Sequence, residues 1–198
     1  EIDSVLERFD YENGGIGGAP KFPQPLIYEY LLRAWHNSGN EQILEVVTTT
    51  LTSMARGGMY DQVGGGFHRY SVDEVWLVPH FEKMLYDNAL LVPLYLHAYQ
   101  VTKDPFFREV AVETLEYVRR EMLDESGGFY TAQDADSEGV EGKFFVWLPK
   151  EILEVLGVED GELFNRYYGV TQQGTFEGRN ILHVADGQAA VAGASGLN

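Results

Sequence analysis

The sequence predicts an all-α architecture, part of an (α/α)6 toroid of helical hairpins with a small β-hairpin insertion near residues 128–147. Three observations carry this. Apolar residues recur at helical spacing in four long stretches, the stretches come in pairs joined by short turns, and glycine pairs at Gly17-Gly18, Gly57-Gly58 and Gly127-Gly128 punctuate them. Helical hairpins that cannot bury both faces alone must stack, as an open solenoid or a closed ring. The irregular spacing here favours the ring.

Each element has its own signal. Ile2, Val5, Leu6 and Phe9 follow a helical period that Asn13-Gly14-Gly15 breaks. The three prolines of GGIGGAPKFPQP exclude a regular helix until about Leu26, from which an apolar face runs to His36. Asn37-Ser38-Gly39 stops it, and a second amphipathic helix spans Glu41 to Arg56. The next pair is Met84 to Val101, kinked or restarted at Pro93, and a helix capped by Asp104, opened by Pro105 and running to about Leu123. Gly128 to Gln133 and Lys143 to Trp147 are aromatic and β-branched runs on either side of DADSEGVEG, which predicts that they pair as a hairpin. Short helices follow at Pro149 to Leu156, closed by Gly157, and at Gly161 to Tyr168. Residues 1–186 read as one partial toroid domain and 187–198 as a tail, expected to be disordered or a chain-end remnant.

Composition narrows the function. With 198 residues, 44% of them apolar, the chain can bury a substantial core. Its 14 basic and 31 acidic residues give a net charge of −17, which repels phosphate backbones and anionic lipid, so neither nucleic acid nor membrane is an expected partner. The absence of cysteine excludes disulfides, thiol nucleophiles and thiolate metal sites in this chain. No basic-then-apolar leader follows Glu1, and a cytoplasmic location is the expectation.

Candidate chemistry concentrates between Gly57 and Asn88, where GGMYDQVGGGFHRYSVDEVWLVPHFEKMLYDN follows no clean period. The triple glycine Gly64 to Gly66 lets backbone approach a ligand closely and aims His68, an acid or base near neutral pH, and Arg69, a hydroxyl or carboxylate holder. The plainer alternative is that His68 donates to a carbonyl and Arg69 pairs with Asp61 or Asp73. A helix continuing from Pro79 would set His80, Met84 and Asp87 near one face and Lys83 against Asp87 at i,i+4. In that arrangement His80 transfers protons and Glu82 or Asp87 orients it; alternatively, the segment is an ordinary helix cap with a surface pair. Trp76 is the foremost aromatic for stacking on a ring, with Tyr60, Phe67, Tyr70 and Trp147 as others, and Tyr86 and Asn88 extend the binding set. Asp134 and Asp136 are further catalytic candidates if the acidic loop reaches the barrel mouth. With Glu138 they also match positions one, three and five of a calcium loop, but position twelve is Phe145 where a bidentate glutamate is needed, so calcium is at most a weak candidate and no cofactor is expected.

PKFPQP (Pro20 to Pro25), YDQVGGGFHRYSVDEVWLVPHFEKMLYDNA (Tyr60 to Ala89), the GGFY and DADSEG segments up to Trp147, and FEGRNIL (Phe176 to Leu182) resemble the spermatogenesis-associated-protein-20-like family. That resemblance implies a thioredoxin-like domain upstream of the PKFP motif, absent from this chain, followed by a toroid similar to six-hairpin glycosidases and N-acylglucosamine 2-epimerases. Leu85 to Ala89 also resembles the Leu-Tyr-Asp-x-Ala helix of the sugar 2-epimerases. The ligand implied by these resemblances is a small-molecule carbohydrate, handled by epimerisation or hydrolysis. The alternative is a non-catalytic module that accompanies the redox domain and binds basic partners. A partial ring also exposes apolar helix faces, so self-association is an expectation.

Overall fold

In the computed structural model, which describes residues 2–185, two helical hairpins form the body. A short α1 (Ile2–Glu7) leads through a glycine-rich loop to α2 (Pro25–Ser38), which turns at Gly39 into α3 (Glu41–Arg56). The turn is closed at both ends: the Gly39 N–H donates to the Trp35 carbonyl, and the Asn40 side chain accepts from the Gln42 amide at 3.1 Å. Tyr28, Leu31 and Leu32 of α2 meet Ile43, Val47, Leu51 and Met54 of α3 in one core.

The second hairpin joins α4 (Leu85–Thr102) to α5 (Pro105–Tyr117), where Asp104 caps the Phe106 amide and Pro105 takes the first helical position, as the sequence predicts. Pro93 lies inside a continuous α4. A π-helical turn, Val118–Met122, prolongs α5 nearly to the expected end at Leu123. The helix α4 packs on both α5 and α2, while α3 and α5 lie on the outside of their hairpins. Two adjacent hairpins of an α/α toroid have this layout. Among the described residues no helix is long and apolar enough to cross a membrane.

Among the described residues, eight two-residue strands tie the loops together in antiparallel pairs: β1 (Tyr70–Ser71) with β2 (Pro79–His80), β3 (Lys83–Met84) with β4 (Ala132–Gln133), β5 (Asp136–Ser137) with β6 (Val140–Glu141), and β7 (Val146–Trp147) with β8 (Asn180–Ile181). The insertion near 128–147 is present, and its hairpin is the short β5–β6 pair. Its flanks do not pair with each other: β4 joins the chain just ahead of α4, and β7 joins β8. The reason is a small second core, in which Ala135, Val146 and Ile181 close around Phe81. Gly142 admits that ring, since a Cβ there would fall 2.5 Å from Phe81 Cε2. Two helices follow, α6 (Pro149–Leu156) and α7 (Val158–Tyr167). The latter begins directly after Gly157 rather than at Gly161, because Gly157 both ends one helix and opens the next. The tail 187–198 lies outside the described residues.

The triple glycine serves packing. Gly66 has φ +80° and lies so close to α5 that a Cβ would sit 2.3 Å from the Tyr117 ring. The close approach inferred for a ligand is made instead by the protein's own helix. Gly66→Ala is therefore expected to cost about 2 kcal/mol or more, whereas Gly139→Ala, at φ +75° with no atom within 4 Å of its Cβ, is expected to cost about 1 kcal/mol. Urea denaturation of the two variants checks the ranking.

Candidate functional site

From Pro79 to Met84 the chain is extended, not helical, and α4 starts only at Leu85. Strand pairing on both sides, with β1 and with β4, outweighs the helical continuation predicted there. Extended side chains alternate sides. Phe81 and Lys83 are buried at 1% exposure each, while His80 and Glu82 turn to the opposite, open side. His80, Met84 and Asp87 thus share no helix face, and Lys83 does not pair with Asp87. The same alternation parts His68 from Arg69.

On the open side, at the N-terminal end of α4, the structure gathers Arg69, His80, Glu82, Tyr86 and Asp87. The Arg69 amide donates to the Glu82 carbonyl at 2.8 Å and its guanidinium to Glu82 Oε2 at 3.0 Å, so Glu82 is the partner in place of Asp61 or Asp73. Tyr86, half-exposed, lies beside the Arg69 guanidinium. Asp87 is only 8% exposed, and its Oδ2 has no hydrogen-bond partner among the described residues. Burial, partly offset by Arg69 and reinforced by the charge of Glu82, pushes its carboxyl up to about 6.

Two residues missed by the sequence reading complete this surface. Phe22, held over the site because Lys21 and Ser71 exchange backbone hydrogen bonds at 2.9 and 2.8 Å, stacks on Tyr70 at 4.8 Å. Tyr70 in turn stacks on His80 at 5.1 Å. From the hairpin it is Glu141 that reaches His80, at 4.0 Å from Nε2. Phe22 had a signal in the PKFP motif, in which one aromatic stands between prolines; Glu141 had none beyond its acidic loop.

The remaining candidates lie elsewhere. His68 is enclosed with Nδ1 2.9 Å from the Phe81 carbonyl, and burial beside the Lys83 charge pushes its imidazole down to about 3, so it is neutral near pH 7. Trp76 is completely buried, its indole N–H donating to the Asn13 and Gly14 carbonyls at 3.1 and 3.2 Å, so neither ring face meets solvent. Asn88 spends its amide on both backbone groups of Phe67 and on the Met84 carbonyl. Tyr60 is buried and donates to Glu113 at 2.7 Å. Each of these three has its polar group satisfied inside the core. Asp134 and Asp136 are exposed, the first accepting from the backbone amide of the second, and Glu138 pairs with Lys143. Among the described residues no three histidine or acidic side chains are gathered to hold a metal.

No family model matches the chain. Spermatogenesis-associated protein 20 of Homo sapiens is 39% identical over 97% of this chain, a stretch that makes up 28% of the human protein. The chain is a homologue of one segment of that protein. The resemblance read from the PKFP, YDQVGGGFHRY and LYDNA motifs is borne out at this level, and the chain spans little more than a quarter of the relative's length. Among solved structures, cellobiose 2-epimerase from Spirochaeta thermophila superposes with a TM-score of 0.61 at 22% identity, covering 67% of this chain and 36% of that one. A sugar epimerase from a ruminal bacterium gives 0.60 at 17% identity, over 98% of this chain and 49% of that one. Both carry the α/α-toroid fold to this homologue. At these identities they speak for the fold alone.

Asp87 makes stability depend on pH. The native state keeps its proton up to about pH 6, whereas an unfolded aspartate releases it near pH 4, so between these values the native state binds more protons and stability falls as pH rises. Asp87→Asn is expected to stabilise the protein at pH 7.5 by at most roughly 3 kcal/mol, with the gain vanishing toward pH 4. Thermal melts of the two proteins across that range check both sign and window.

Proposed function

We propose that this segment forms one wall of the substrate mouth of a carbohydrate-handling toroid, in which Asp87 acts as the proton-transfer group of an epimerase or isomerase. The observation that carries the reading is the orphaned Asp87 carboxyl, poised near neutrality beside the Arg69–Glu82 pair. A general base works best when its pKa lies close to the operating pH. Arg69 and Tyr86 offer N–H and O–H donors to sugar hydroxyls or to an oxyanion formed when a proton leaves carbon, and the Phe22–Tyr70–His80 stack offers an apolar edge for a ring. The epimerases that share the fold support the substrate class. Hydrolysis is less well supported, because Glu82, the second carboxylate near Asp87, is held by Arg69 and so is poorly suited to activating water or attacking carbon.

The experiment is to incubate the full-length protein with monosaccharides and disaccharides in deuterated water and follow exchange of carbon-bound hydrogen by NMR. Expected is deuterium incorporation at one sugar carbon, with a rate that rises with pH through about 6. Asp87→Asn should lose about a hundredfold or more in rate, and Arg69→Ala should weaken substrate use. Full exchange activity in Asp87→Asn, or glycosidic cleavage without exchange, would remove the support for this reading.

A further inference from the structure

Opposite the mouth, across the extended strip that ends at Met84, lies a cavity of about 250 Å3 beside Lys83. Its walls are aromatic: Tyr117, Phe144, Phe145 and Trp147. Its floor is the Lys83 ammonium, which is 1% exposed and donates to Asp61 Oδ2 and to the Gly65 carbonyl at 2.8 Å each. Burial draws this ammonium below its usual range; burial pushes the Asp61 carboxyl up, but the Lys83 charge together with the hydrogen bonds from Lys83 and the Gly64 amide holds it below the usual carboxylate range. An ammonium has three N–H bonds. The third has no oxygen acceptor among the described residues, the nearby groups being the rings of Tyr117 at 4.3 Å and Phe145 at 5.0 Å.

Two further residues of the wall, Gln133 and Trp147, carry N–H donors. Gln133 uses its carbonyl oxygen to accept from the Tyr117 hydroxyl at 2.8 Å, and among the described residues neither its amide N–H2 nor the Trp147 indole N–H meets an acceptor. At the rim the π-helical turn swings Arg120 across the opening, where its guanidinium is taken by the Gly64 carbonyl and by Glu121. Such turns recur at functional sites. The charges therefore cancel in pairs, Lys83 with Asp61 and Arg120 with Glu121, and what remains is a neutral, aromatic-walled space with unspent N–H donors among its lining residues.

We propose that this cavity is a ligand site separate from the mouth, taking one small, neutral, ring-shaped molecule rich in oxygen acceptors, of monosaccharide size. The volume lies a little under the roughly 300–1,000 Å3 of sites for drug-sized molecules, which suits a single ring. Aromatic faces hold the C–H edges of a pyranose, and the Gln133 amide and the Trp147 indole N–H are the donors for its oxygens. An anion gains nothing from a lysine already neutralised by Asp61, and it is repelled by a protein of net charge −17.

The inference does not rest on the mouth being catalytic, and its test is run with the mouth disabled. Full-length protein carrying Arg69→Ala and Asp87→Asn is titrated calorimetrically with D-glucose, D-mannose and benzoate, the last being an anionic ring without hydroxyls. A saturable event with at least one sugar is expected. Two further substitutions, Val63→Trp to obstruct the cavity and Phe144→Ala to remove a wall, should each weaken it about tenfold or more. Both positions are exposed, at 60% and 67%, so these variants are expected to fold, which circular dichroism verifies. Sugar binding unchanged by both substitutions, benzoate binding as tight as sugar binding, or no saturable event with either sugar would each overturn the proposal.

Discussion

The buried ion pair between Lys83 and Asp61 fixes how everything around it is arranged. An ammonium at 1% exposure cannot be left without acceptors, and only an extended backbone at residues 79–84 delivers it to Asp61 and the Gly65 carbonyl. That extension postpones α4 to Leu85, sends Glu82 and His80 to the opposite side, and leaves room for the 61–66 turn to lie against Tyr117. A buried ion pair is a weak source of net stability but a strong source of register, because a one-residue slip would bury Glu82 and expose Lys83.

Much of the fold was legible in the sequence because its signals are local. Asp104-Pro105, Gly39 and the apolar periods of the four long helices act within a turn or two, and each sits where the sequence places it. The site was legible in part. Arg69, His80, Glu82, Tyr86 and Asp87 do converge, but the reason is strand alternation rather than a helix face, and no period in PHFEKML distinguishes the two. Trp76, Asn88, His68 and Tyr60 looked functional because polar and aromatic residues cluster there. Their partners, the Asn13 carbonyl, the backbone of Phe67, the Phe81 carbonyl and Glu113, are 63, 21, 13 and 53 residues away, which a linear reading cannot see. The hairpin flanks misled for the same reason, since their true partners lie in distant segments.

The helix α4 shows how this segment relates to a complete ring. Leu91, Leu94, Tyr95 and Ala98 face the core, yet Tyr86, Leu90 and Leu96 are exposed on its other side, as are Leu26 and Tyr30 of α2. A helix apolar all round is normally enclosed on both sides. In a closed toroid the inner helices are flanked on each side by further hairpins, and the solved epimerases that share the fold are two to three times as long as the part matched here.

The protein has five lysines, and two of them, Lys21 and Lys83, are buried at 2% and 1% exposure. Each anchors a loop: Lys21 binds Asp10 and the Gly14 carbonyl, Lys83 binds Asp61 and the Gly65 carbonyl. Amine-reactive reagents would therefore modify Lys103, Lys143 and Lys150 in the native protein and reach the other two only when the corresponding loop lets go. The rates at which Lys21 and Lys83 become acylated report two separate opening events, one at each anchor, within a single folded chain.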